Sequence, residues 1–79
     1  MNIDESKVDE IVLALLHLTS FKDGEIKRSW KSYDWNVLDR LHERGFISDP
    51  KTKAKSVILS DEGVQQVQLV IKKYFSQAG

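Results

Sequence analysis

Apolar residues spaced three and four apart at both ends of the chain constrain its fold more than any other feature. Val8, Ile11, Val12, Leu15 and Leu16, continued by Thr19 and widened by Leu13 and Leu18, predict a helix over about Glu5–Leu18. Val64, Val67, Val70, Ile71, Tyr74 and Phe75 predict another at the far end. Ser60 caps it, and Asp61 and Glu62 in its first turn suit the positive pole of the helix dipole. On the first helix, Ser6 with Asp9 three residues on resembles a shortened capping box, and Asp4, Glu5, Asp9 and Glu10 load the N-terminal turns with negative charge. A chain of 79 residues makes one core and buries about 60–65% of its unfolded surface. Both stripes must therefore close on one small interior, in a single domain spanning residues 1–79.

The middle of the chain is punctuated differently. Asp23-Gly24 marks a turn, and Glu25-Ile26-Lys27-Arg28-Ser29-Trp30 alternates as a short strand. Ser32 or Asp34 caps a second helix in which Val37, Leu38 and Leu41 face inward and Asn36, Asp39, Arg40, Glu43 and Arg44 face outward. Trp35 lies at the edge of that stripe and is expected to cover the core, and Arg44-Gly45 is the stop. Phe46-Ile47-Ser48, the polar tip Asp49–Lys55 and Ser56-Val57-Ile58-Leu59 then read as an antiparallel hairpin with a loose end. The expected architecture is α+β: three helices with a small antiparallel sheet built from the strand near 25–30 and the hairpin near 46–59.

The stretch Val37-Leu38-Asp39-Arg40-Leu41-His42-Glu43-Arg44-Gly45-Phe46-Ile47, a basic loop, and Val57-Ile58-Leu59-Ser60-Asp61-Glu62-Gly63 resembles the end of a winged-helix domain. In transcription regulators of the multiple-antibiotic-resistance and phenolic-acid-repressor kinds, a helix closing in Leu-x-x-Leu-x-x-x-Gly leads into the wing. The second wing strand there ends in hydrophobic-x-Leu-Ser/Thr-x-x-Gly. The resemblance implies a winged-helix-like domain that contacts DNA. The 14 residues between Thr19 and Asp34 leave no room for the separate positioning helix of such regulators, so the implied form is abbreviated. Over nearly its full length the chain is also similar to a small bacterial family of domains. It shares with them Trp30-Lys31-Ser32-Tyr33-Asp34-Trp35-Asn36-Val37-Leu38-Asp39-Arg40-Leu41-His42, then Ile47-Ser48-Asp49-Pro50 and Lys53-Ala54-Lys55-Ser56-Val57.

Formal net charge is zero, yet residues 1–21 carry four carboxylates against one lysine, and residues 22–55 carry nine cations against six carboxylates. A basic middle is compatible with a phosphate-bearing partner. Lys51, Lys53 and Lys55 alternate with small residues, so an extended segment would project all three ammonium groups to one side. That suits backbone phosphates and carries no sequence code. With Lys27, Arg28, Lys31, Arg40 and Arg44 they form the candidate nucleic-acid-binding set. The first functional expectation is a non-enzymatic DNA-binding or transcription-associated module using a basic wing. The plainer alternatives are a solvated loop, a lysine guarding a strand edge, and i,i+4 surface charges on the second helix, where Asp39 and Glu43 sit beside Arg40 and Arg44.

A rival expectation is a protein-interaction module on the same scaffold, because Trp30, Tyr33 and Trp35 cluster within six residues. A homodimer through the third helix is a further one. Val64, Val67, Ile71 and Tyr74 form the inward seam, which leaves Leu69, Val70 and Phe75 as a surplus face. No catalysis, cofactor or metal is expected. His17 and His42 lie on different helices, no spacing suits a metal, and no glycine-rich loop precedes a helix. The absence of cysteine, of a signal-peptide pattern and of any 18-residue apolar run points to a cytoplasmic protein that does not span a membrane.

Overall fold

The computed structural model describes residues 3–74, ordered as α1 (Glu5–Leu18), β1 (Phe21–Asp23), β2 (Ile26–Trp30), α2 (Trp35–Glu43), β3 (Ser56–Ile58) and α3 (Asp61–Tyr74). The fold is α+β, three helices with a small antiparallel sheet in the order β1-β2-β3. Two details of that sheet differ from expectation. Phe21-Lys22-Asp23 is a strand, paired with β2 through Phe21↔Arg28, Lys22↔Lys27 and Asp23↔Ile26. Gly24 has φ +65° and Glu25 a negative φ, the pattern of a type II′ turn, whose twist matches the flanking strands. The expected hairpin 46–59 is instead reduced to one bridge, Ile47↔Leu59. Next to it the Ser48 hydroxyl, not a backbone carbonyl, accepts the Ile58 N–H at 2.8 Å, and Pro50 has no N–H to continue the ladder. β3 pairs with β2 instead, through Arg28↔Ile58, Ser29↔Val57 and Trp30↔Ser56.

The inner face of the sheet carries Ser29 and Val57, both buried, and packs toward α1. Leu13, Leu16, Leu38, Leu41, Ile47 and Val67 complete the core around Val57. On α2 the expected stripe Val37, Leu38, Leu41 is buried. The helix ends in a Schellman motif: Phe46 N–H donates to Leu41 O, Gly45 N–H donates to His42 O, and Gly45 supplies φ +79°. Trp35 does not cover the core; it is 55% exposed, because at helical spacing it points well away from the buried stripe Val37, Leu38, Leu41.

On α1 the buried face is turned from the one the apolar residues trace. Asp9, Leu13 and Leu16, four and three apart, point inward, and Ile11 is exposed. Asp9 is 3% exposed and binds Arg40 of α2, with Arg40 Nε to Asp9 Oδ2 at 2.7 Å and Nη2 to Oδ1 at 2.8 Å. Asp9 thus joins two helices rather than facing the dipole, and Asp4 caps α1 by accepting the Ser6 N–H at 3.0 Å.

Ser60 caps α3 as expected. Its hydroxyl accepts the Gly63 N–H at 2.9 Å and donates to Gly45 O, tying the helix start to the turn after α2. The seam of α3 is set by Gly63, Val67 and Val70. Tyr74 lies at the edge and donates to Glu10 Oε2 at 3.1 Å, and Lys73 approaches the same carboxylate at 3.5 Å.

His17, in the last turn of α1, has a half-buried ring whose Nδ1 lacks a partner among the described residues. Burial, with Lys27 nearby, holds its pKa below the ordinary 6.5. Its contribution to stability is present above that value and is lost as pH falls toward the depressed folded value, because the unfolded chain takes up the proton first. Denaturant midpoints measured between roughly pH 7.5 and pH 5 should therefore fall. His17→Gln should flatten the slope, and an unchanged slope in that variant would remove His17 from the account.

Among the described residues no helix is long and apolar enough to cross a membrane, and no three His, Asp or Glu side chains gather as a metal-binding group.

Candidate nucleic-acid interface

Eight cations were expected to face a phosphate backbone, and the fold treats them unequally. Three are committed internally. Arg40 does not point outward; hydrogen bonding by Asp9 raises its pKa further and fixes its guanidinium against α1. Arg28 donates from Nε to Asp23 Oδ2 at 3.0 Å and reaches Ser56 Oγ at 3.4 Å, lying along the outer face of the sheet. Lys31 Nζ donates to the carbonyls of Pro50 and Thr52 at 2.7 and 2.9 Å, while its N–H donates to Lys55 O at 3.1 Å. Counting charges along a chain treats each cation as free. Here nearby acceptors claim these three.

The other five are more open. Lys27 is half-buried on the opposite side of β2 from Arg28. Arg44, the C-cap of α2, is exposed and lies over the Phe46 ring at 4.9 Å. Lys51 stands 4.0 Å from Asp39. Lys53 and Lys55 are exposed and make no ion pair among the described residues. The loop that carries them is not the extended segment the alternation implied. Residues 51–55 run through turns and bends, with Pro50 buried beneath them and the Lys51 N–H bonded to Asp49 Oδ1 at 2.9 Å. Nor is it a loose end, because the Lys31 ammonium holds two of its carbonyls.

The aromatic cluster is split. Tyr33 packs against the core, whereas Trp30 and Trp35 are each 55% exposed. Lys31 Nζ lies 5.8 Å from the centre of the Trp35 ring. Trp30 pairs with a residue that the sequence did not single out, Phe21 of β1, with ring centroids 5.0 Å apart and planes tilted by 35°. Alternation along the strands puts Phe21, Ile26, Arg28, Trp30 and Ile58 on one outer face. Gly24-Glu25 between Phe21-Lys22-Asp23 and Ile26-Lys27-Arg28 was the pattern that could have disclosed it, since glycine at the first position of a two-residue loop favours a type II′ hairpin.

Of the expected dimer surface Leu69, Val70 and Phe75, the structure turns one residue inward. Val70 is 2% exposed, turned inward with Val67, and Phe75 lies outside the described residues. Among the described residues of that set Leu69 is the exposed one, at 63%, and a single exposed leucine is ordinary.

The profile of a domain of unknown function, DUF6429, matches residues 4–77. An uncharacterized protein of Sinorhizobium fredii, y4hR, is 46% identical over 77 residues, covering 98% of this chain and 100% of that protein. No solved structure matches.

Proposed function

The chain belongs to the DUF6429 family, and for this member we propose a non-enzymatic nucleic-acid-binding role, in which loop 49–55 is the wing of an abbreviated winged-helix domain. The observation that carries this reading is the loop itself. Lys53 and Lys55 stand free of carboxylates on a segment held at its base by Lys31. The element order supports it. The Ile47 and β3 segments flank the wing, with β3 joined to β2 in the sheet, α2 occupies the recognition position, and the β1–β2 hairpin fills the stretch where a positioning helix would lie. With Asp39 and Glu43 on α2 and Arg40 bound to Asp9, contact runs to phosphates rather than to base edges.

Such binding is mostly counterion release. Titration of a labelled duplex between about 50 and 200 mM salt should give a log–log slope near −2 to −3, as expected for two or three phosphate contacts. Lys53→Gln with Lys55→Gln should reduce that slope by about 2. Absence of binding at the lowest salt, or affinity indifferent to salt, would end the proposal. A partner protein seated on the exposed rings of Trp30 and Trp35 is the second reading. The lysine exchanges separate the two, since they leave an aromatic contact in place.

A further inference from the structure

We propose that the ligand of this wing is single-stranded nucleic acid, whose bases stack on the Phe21–Trp30 pair of the open sheet face while its phosphates run to Lys53 and Lys55. The inference rests on the nucleic-acid reading above and adds the strandedness of the ligand and the surface it uses.

An antiparallel sheet covered on one side normally turns polar residues to the water on the other. This one does so only in part. Of the outward residues Phe21, Asp23, Ile26, Arg28, Trp30, Ser56 and Ile58, four are apolar, and two of those are aromatic rings in mutual contact. Ile26 and Ile58 lie beside the start of α3, lining a recess with Val64 and Gln65, whereas among the described residues no helix covers the Phe21–Trp30 pair: α1 packs on the inner face, where Ser29 and Val57 are buried. Trp30 keeps 55% of its surface open while Phe21 braces it, so a flat ring is presented with little left to order on binding.

Charge decides among occupants of such a face. The wing begins beside Trp30: Ser56 is its cross-strand partner, and Lys55 O accepts the neighbouring Lys31 N–H. Residues 51–55 carry three lysines and no carboxylate. The one carboxylate that shares the outer face of the strands, Asp23, is neutralised by Arg28 at 3.0 Å and so does not repel a polyanion. An apolar peptide would satisfy the rings and leave the lysines idle. A duplex would satisfy the lysines but keep its bases stacked on each other. Unpaired bases on a phosphate backbone use both, as on aromatic platforms flanked by cations elsewhere.

The test uses the full chain and labelled oligonucleotides of about 12 nucleotides, as single-stranded DNA, single-stranded RNA and duplex DNA of the same sequence. The single strands should bind more tightly than the duplex. Trp30→Ala should weaken single-strand binding about 5- to 150-fold while leaving duplex affinity within about twofold, and Trp30→Phe should restore most of the loss. Phe21→Ala gives a second, independent removal of the platform, and unchanged far-ultraviolet circular dichroism certifies each fold. Comparison of the RNA and DNA arms assigns the sugar. Duplex binding equal to or tighter than single-strand binding, or a Trp30→Ala variant with undiminished single-strand affinity, would overturn this inference and leave the wing reading standing. Absence of binding to all three would overturn both.

Discussion

Removing the Arg40 guanidinium, as in Arg40→Leu, is expected to take away a quarter or more of the folding free energy. The cause is what it leaves behind: Asp9, 3% exposed, with both carboxylate oxygens accepting from that one side chain. A buried carboxylate stripped of its partner costs about 3 kcal/mol. A chain of 79 residues holds only about 4–12 kcal/mol in all. Asp9→Leu should cost less, because Arg40 is one-third exposed and retains Glu5 at 3.4 Å as well as water. The double exchange to two leucines should recover most of the Arg40→Leu loss, since an apolar pair of similar volume replaces a buried ion pair at little cost. Urea denaturation of the four proteins measures the cycle. If Arg40→Leu lay within experimental error of the parent, the pair would have no structural role.

Gly63→Ala should be the other severe change, although in most helices it stabilises. Alanine normally gains up to about 1 kcal/mol over glycine in a helix interior. At position 63, however, an added Cβ would fall deep inside contact distance of the Phe46 carbonyl oxygen and 3.0 Å from its carbon. That carbonyl cannot step aside. It accepts the Ser60 N–H at 3.0 Å and follows Gly45, whose φ of +79° fixes the turn. Either α3 moves off the turn or the turn distorts, a cost of about 2 kcal/mol net and a fall of roughly 8–16 °C in the thermal midpoint for a domain of this size. Gly63→Val should fail to fold. A Gly63→Ala protein as stable as its parent would mean that α3 does not sit this close.

These residues also show how far the sequence can be read. The glycine closing the wing pattern, Ser60 with its cap, and Gly45 after α2 could all be placed from spacing, because each answers a local backbone need. The stripe Val37, Leu38, Leu41 was legible for the same reason. Asp9 was not. Its place between inward Leu13 and Leu16 is visible only once Arg40, 31 positions away, is known to meet it. The outer sheet face was hidden in the same way: Phe21, between the first helix and the turn, had no assigned partner until the hairpin folded it against Trp30. Of the candidate cations, the loop position of Lys51, Lys53 and Lys55 followed from the chain, whereas which of the eight stay free depends on acceptors brought in by tertiary packing, as at Arg28, Lys31 and Arg40.

Lys31 has a consequence for how this chain can drift over generations. Its ammonium stands between the carbonyls of Pro50 and Thr52, at 2.7 and 2.9 Å, with three donors free to turn about one nitrogen. Arginine would preserve the charge and the helical or strand preference of the position, and by any substitution score it would pass as a silent change. A longer, planar guanidinium does not reproduce one ammonium seated between two carbonyls, so the exchange should loosen the loop. A drift that conserves charge is therefore disfavoured at position 31, while at Lys53 and Lys55, exposed and without a side-chain hydrogen bond or ion pair among the described residues, lysine and arginine can interchange.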